Sequence, residues 1–192
     1  MDYSKLPGCE NSWKAVHAAL LDLFSDPVFE KYQEHMRDTP RRLLELFGEY
    51  FAGMLQNPEE VLRTGFLEET YSEMIHLEHI PLISVCAHHV VPFIGEVHFA
   101  YLPDKRIVGL SKIPRMIEIF AKRPQVQERL TNDIVQCFQQ VVQPKGCGAI
   151  IRARHLCVEV RGIKRTGILT KTTSLAGCFQ DAEVKMEFLR KD

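Results

Sequence analysis

No stretch of this 192-residue chain approaches the roughly 18 consecutive apolar residues that a membrane-spanning helix needs. Residues Met1 to Glu10 lack the basic and then apolar order of a secretory leader, and the brief amino-terminal segment predicts no regulatory extension. Charge of one sign is missing too. The 24 Lys and Arg balance 25 Asp and Glu for a net charge of −1, which argues against a general nucleic-acid binder while leaving room for local basic clusters. The six cysteines, at 9, 86, 137, 147, 157 and 178, do not have the spacing of a disulfide scaffold. A chain of this length builds a core without such staples. The expectation is a cytoplasmic protein with reduced thiols. There is no internal repeat and no low-complexity tract, and the composition (45% hydrophobic, 26% charged) is that of an ordinary globular domain with a helical extension.

The hydrophobic period divides the chain. Residues 11 to 54 read as helical: Trp13, Val16, Ala19, Leu20 and Leu23 recur at helical spacing, and Ser25-Asp26-Pro27 punctuates them. Thr39-Pro40 announces a second helix carrying Leu43, Leu44, Leu46, Phe47 and Phe51. A looser stretch around Asn57-Pro58 leads to Thr70. From Met74 the period becomes two, with His76, Glu78, Ile80 and Leu82 on one face and Ile75, Leu77, His79 and Pro81 on the other. Phe93 to Tyr101 predicts a second strand, and Pro103-Asp104-Lys105 a hairpin turn into a third over Arg106 to Leu110. Two helices come next, one marked by Ile113, Met116, Ile117 and Phe120. The other begins near Pro124 and stops at Gln143-Pro144-Lys145-Gly146. Strands are expected over Cys147 to Arg154, Leu156 to Ile163 and Leu169 to Phe179, then a short helix. The division is an N-terminal helical region over 1–70 and a second domain over 71–192.

Two motifs carry the chemistry. Cys86-Ala87-His88-His89 contains a Cys-x-x-His pair, which a tight turn aims at one ion. His155-Leu156-Cys157-Val158-Glu159-Val160-Arg161 alternates polar with apolar residues. As a strand it would put His155, Cys157, Glu159 and Arg161 on one face, with Lys164 and Arg165 as candidate ion-pair partners for Glu159. A catalytic zinc takes three Cys, His or carboxylate ligands and keeps a fourth position for water, whereas a closed structural site would draw a fourth ligand from His88 or His155. His17, His35, His76, His79 and His98 read as packing or surface residues.

Five ordered segments make the chain similar to GTP cyclohydrolase I. They are Thr39-Pro40-Arg41-Arg42, Cys86-Ala87-His88-His89, Gly109-Leu110-Ser111-Lys112-Ile113, Arg123-Pro124-Gln125-Val126-Gln127-Glu128-Arg129-Leu130-Thr131, and His155-Leu156-Cys157 through Arg161-Gly162-Ile163. The resemblance implies an α+β tunnelling fold, in which an antiparallel sheet backed by two helices joins its copies into a barrel. It also implies Zn2+ on Cys86, His89 and Cys157, with His88 and His155 free for proton transfer. The implied reaction is hydrolytic opening of the imidazole ring of GTP at C8, release of formate, rearrangement of the ribose and closure to 7,8-dihydroneopterin triphosphate. His155 would protonate the nitrogen adjacent to C8, and His88 would serve later steps.

By the same resemblance Lys112, Arg115, Arg161 and Arg42 contact the triphosphate, which suits the bidentate guanidinium fork. Gln127 and Glu128 recognise guanine, since a carboxylate accepts from N1–H and the exocyclic amine together, and Ser111 contacts the ribose. The partners implied are GTP and further copies of the chain, as pentamers paired into decamers with sites between subunits; neither nucleic acid nor membrane is expected. One departure stands out. Family members usually carry Glu where this chain has Ala87, which leaves open a different purine nucleotide, an end point at the ring-opened formyl intermediate, or a catalytically silent paralogue.

Overall fold

A computed structural model describes residues 6–63 and 71–190. The boundary expected between residues 70 and 71 falls at the edge of a segment outside the described residues. Residues 11 to 54 are helical but broken, as Ser25-Asp26-Pro27 predicts. Helix α1 (Glu10–Phe24) is followed by a 3-10 turn (Pro27–Tyr32), the short α2 (Gln33–Met36), α3 (Thr39–Phe51) and a second 3-10 turn (Ala52–Leu55). Asp26 accepts a hydrogen bond from the Val28 N–H at 2.8 Å and so starts the first of these turns afresh.

The stretch around Asn57-Pro58 is a short helix, α4 (Pro58–Leu62), rather than a loose connection. Asn57 caps it by accepting from the Glu59 N–H at 3.0 Å, and Pro58 occupies the first helical position. Leu62 on α4 is fully buried in the main core, so this part of the helical region shares one core with the sheet.

Among the described residues the sheet is five-stranded, in the order β3-β1-β2-β4-β5. Strands β1 (Ile75–Cys86), β2 (Pro92–Leu102), β4 (Gly146–His155) and β5 (Leu169–Gly177) are antiparallel neighbours. The two-residue β3 (Pro124–Gln125) runs parallel to the end of β1, pairing Cys86 with Gln125. Helices α5 (Lys112–Ala121) and α6 (Gln127–Val142) cover one face. There Met116, Ile117, Leu130, Ile134 and Phe138 meet Phe93, Val97, Phe99, Ala149 and Ile151. Each large side chain so buried contributes about 1.5–3 kcal/mol, which makes this layer the fold's main source of stability. On the opposite face α8 (Ala182–Arg190) covers Ala100 and Ile150 with Phe188, beside Phe179.

Further expectations need correction. First, β1 is not a simple alternation. Its register with β2 shifts between Leu77 and Ile80, and His79 has φ 54°. A bulge inserts one residue and reverses the parity, so Ile75 and Leu77 pack on the core before it, as do Ile80 and Leu82 after it. Second, Arg106 to Leu110 is irregular apart from an isolated bridge at Ile107. Its buried Val108 N–H is satisfied by the Tyr101 hydroxyl at 3.2 Å, in place of a ladder partner.

Third, α6 begins at Gln127, because Pro124 and Gln125 are used as strand; β5 likewise ends at Gly177, before a 3-10 turn (Cys178–Gln180). Fourth, Leu156 to Ile163 is not a strand. β4 ends at His155 and the chain turns into a single helical turn, α7 (Leu156–Glu159). Arg154 grips the Glu159 carboxylate at 2.9 and 2.7 Å and folds the segment back on the strand end. Gly162 and Lys164, both at positive φ, then carry the chain away.

Candidate metal centre and its surroundings

The site gathers at one end of the sheet. Cys86 is the last residue of β1, and residues 87–91 are the connection to β2. The Cys86 carbonyl accepts from the N–H groups of His89 (3.4 Å) and Val90 (2.9 Å), and its own N–H donates to the Val91 carbonyl at 3.0 Å. This tight turn, with Val90 at φ 53°, brings the thiol and the His89 ring to the same side. Cys157 arrives from α7. One donor atom from each of Cys86, His89 and Cys157 lies within 4.8 Å of the others.

Bonds of about 2.3 Å to sulfur and 2.0–2.1 Å to nitrogen require donors somewhat closer than that limit, which small side-chain rotations supply. Two thiols and an imidazole also suit a borderline-soft divalent ion. The residues present therefore fit such an ion. Burial, with the Cys86 thiol next to it, pushes the Cys157 thiol up; a cation between the two sulfurs would offset both effects.

Arg161 donates to His89 Nε2 at 2.6 Å. A guanidinium is a donor only, so this nitrogen carries a lone pair. His88 is exposed, with Nδ1 3.7 Å from the Cys86 sulfur. Ala87 is exposed as well, and its backbone N–H donates to the Gln125 carbonyl at 2.9 Å.

His155 ends β4 opposite Phe93 and stacks on that ring, with centroids 4.8 Å apart and planes 13° apart. Its Nε2 lies 2.7 Å from Gln127 Oε1. Burial lowers its pKa, against a smaller opposing pull from the Glu128 carboxylate. Gln127 is 1% exposed, and its amide nitrogen donates towards the carbonyls of Ile151 and Thr170 and the Thr172 hydroxyl. Thr131 and Thr172 hydroxyls meet at 2.6 Å beside it.

Of the residues singled out from the sequence, the fold brings Cys86, His89, Cys157, His88 and Arg161 together, and sets His155 against Gln127. Glu128, in the first turn of α6, is exposed. Ser111 and Arg115 are exposed at the start of α5, whereas the Lys112 ammonium donates to the Val61 carbonyl at 3.2 Å. Arg42 stands apart. It lies on α3, which packs chiefly against α1 and the following 3-10 turn, and its guanidinium is 3.9 Å from Asp38. Glu159 does not join an anion-binding face, and pairs with Arg154 rather than Lys164 or Arg165.

Sequence reasoning passed over Phe93, Thr172 and Arg154. Each acts through strand register or a cross-element contact that no local pattern signals. Among the described residues no helix is long and apolar enough to cross a membrane.

An antiparallel sheet backed by two helices, with two thiols and an imidazole converging beside a half-buried histidine on a buried amide, defines a protein of the tunnelling-fold class with a candidate metal site. Comparison with known proteins narrows the class. The family described as GTP cyclohydrolase I matches residues 15–191. GTP cyclohydrolase 1 of Campylobacter curvus is 41% identical over 157 residues, which cover 81% of this chain and 83% of the relative. Its counterpart in Chlorobium phaeovibrioides is 39% identical, covering 98% of this chain and 84% of its own; that of Thermobifida fusca is 41% identical, with 88% and 80% covered. The chain belongs to the GTP cyclohydrolase I family.

Proposed function

We propose that this chain is a zinc-dependent hydrolase that opens the imidazole ring of GTP at C8, releases formate and forms 7,8-dihydroneopterin triphosphate. The observation that carries the reading is the convergence of Cys86, His89 and Cys157 within 4.8 Å, in a chain whose family membership spans residues 15–191. Cys86, His89 and Cys157 would hold the ion, which supplies a water molecule acidified enough to act as a nucleophile near neutral pH.

The protein's own groups divide the remaining work. His155, held in one orientation between Phe93 and Gln127, exchanges a proton with the nitrogen next to C8. His88, exposed beside the ligand turn, serves the later transfers. Glu128 accepts from guanine N1–H and the exocyclic amine together, a donor pair that adenine lacks. Gln127 takes a different part from direct guanine recognition: its amide already has protein partners on both ends, so it positions His155. Ser111 meets the ribose, and Lys112, Arg115 and Arg161 hold the triphosphate.

Arg42 enters the site from another copy of the chain, in keeping with its place on α3. Ile83 and Ile94, a cross-strand pair on the sheet face away from α5 and α6, are 61% and 47% exposed. Their exposure supports an oligomer in which that face is covered, and pentamers paired into a decamer would close the sheet edges as well.

Incubation of the zinc-loaded protein with GTP tests the reading. Formate and a pterin that becomes fluorescent on oxidation are expected in equal amounts. Ala87 supports a second reading, in which the absence of a carboxylate between Cys86 and His88 halts the reaction earlier. A ring-opened nucleotide that retains its formyl group, with no free formate, would identify that outcome. No turnover of GTP or other purine nucleotides would reject both.

A further inference from the structure

A second cluster of metal-ligating side chains lies away from the thiols. Along β2, Val97 and Phe99 point into the core beneath α5 and α6, so Glu96 and His98 point to the opposite face. His98 is 8% exposed, seated near Ile150 and Phe188. From β1, the bulge at Leu77/Ile80 turns His79 to the same place, with the backbone in the left-handed region at φ 54°. The Glu96 carboxylate stands between the two rings. His79 Nδ1 is 2.8 Å from one of its oxygens and His98 Nε2 is 3.2 Å from the other. The rings are 4.8 Å apart in an edge-to-face arrangement, and one donor atom from each residue lies within 4.8 Å of the others.

We propose that His79, Glu96 and His98 form a second metal site, taking a divalent first-row transition ion on the sheet face opposite α5 and α6. Two imidazoles and one carboxylate are a recurrent ligand set for zinc and for non-haem iron, with open positions left for water. Bonds of about 2.0–2.2 Å fit donors at these separations after small side-chain rotations.

A solvent-exposed histidine–carboxylate contact gives little stability by itself, yet the chain keeps a non-glycine residue at positive φ where the contact is made. Such local strain is found where a geometry serves a ligand. Two further charges face the cluster. Arg152 lies opposite Glu96 on β4 and opposes a cation, whereas Glu78, next to His79, favours one. The site is therefore weaker than the thiolate centre and is filled after it.

Nickel chloride titrated into protein that carries one zinc per chain, with calorimetry and elemental analysis on the same samples, tests the proposal. One nickel per chain should bind in addition to the zinc. His79→Ala and the near-isosteric Glu96→Gln should each weaken it by at least about 10-fold while the zinc content stays unchanged, which also shows that the variants fold. Three results would each overturn the proposal: no nickel beyond the zinc, nickel that displaces zinc one for one, or an affinity unchanged in either variant.

Discussion

His155 and Gln127 are joined by a 2.7 Å contact between Nε2 and Oε1, and the rest of the Gln127 amide fixes its direction. With Nε2 of Gln127 donating towards Ile151, Thr170 and Thr172, only the amide oxygen faces the ring. The neutral imidazole therefore carries its proton on Nε2 and leaves Nδ1 as an acceptor. The buried amide thus sets which nitrogen of His155 is left as an acceptor.

Replacing Gln127 with Met keeps the volume and removes that constraint. Turnover is expected to fall by about 10-fold or more with little change in KM and full zinc content, because a lost orienting partner commonly has this effect. Nitrogen chemical shifts of His155 should change from one tautomer to a mixture. Wild-type kcat with an unaltered His155 spectrum would remove Gln127 from the positioning role.

His155→Ala tests the proposed proton carrier directly. Turnover should drop by roughly 100-fold or more while the metal stays bound, since none of the three proposed ligands is touched. Rapid-quench measurement of formate gives the number. Turnover near that of the unaltered protein would assign the proton transfer elsewhere.

The Arg154–Glu159 pair, not the alternating pattern, shapes the segment that holds Cys157. Arg154→Ala leaves Glu159, whose side chain is 5% exposed, without its bidentate partner. The α7 turn should loosen and metal affinity should fall by about 10-fold, as read by competition with a chromogenic chelator. Unchanged affinity would mean that α7 holds its shape through its backbone alone.

Thiol reactivity follows the burial of each cysteine. Burial pushes Cys137 up to about 11 and Cys147 up to about 12, so both stay almost wholly protonated at pH 8. Cys9 is exposed, and the amides of Ser12 and Asn11 hold it below the usual thiol range. Iodoacetamide should therefore label Cys9 first and Cys147 last, with all rates rising with pH in proportion to thiolate. Removal of the metal should add Cys157 to the labelled set, as peptide mass spectrometry would show. Labelling of Cys157 at the same rate with and without metal would contradict its role as a ligand.

Element order was largely legible because it rests on local signals. Trp13 to Leu23 has helical spacing, Thr39-Pro40 opens α3, and the apolar rows of α5 and α6 give their inward faces. The turn that brings Cys86 and His89 to the same side was legible for the same reason, since Cys-x-x-His is a local spacing. What escaped depends on tertiary partners. The alternation of His155 to Arg161 is real in the sequence, but Arg154 captures Glu159 and the chain turns into α7. The β1 bulge left a trace that a strict two-residue period conceals: apolar positions are odd at Ile75 and Leu77 and even at Ile80 and Leu82. Likewise, nothing near Gln127 in the sequence points to His155, because the two meet only when β4 packs under α6.

Cobalt substitution at the thiolate centre tests the central claim most directly. Metal-free protein titrated with cobalt(II) should develop a thiolate-to-cobalt charge-transfer band that saturates at one ion per chain, and formate release from GTP should rise in proportion to it. Cys157→Ser should diminish the band and the release together. Formate release that proceeds without the thiolate band would contradict the account.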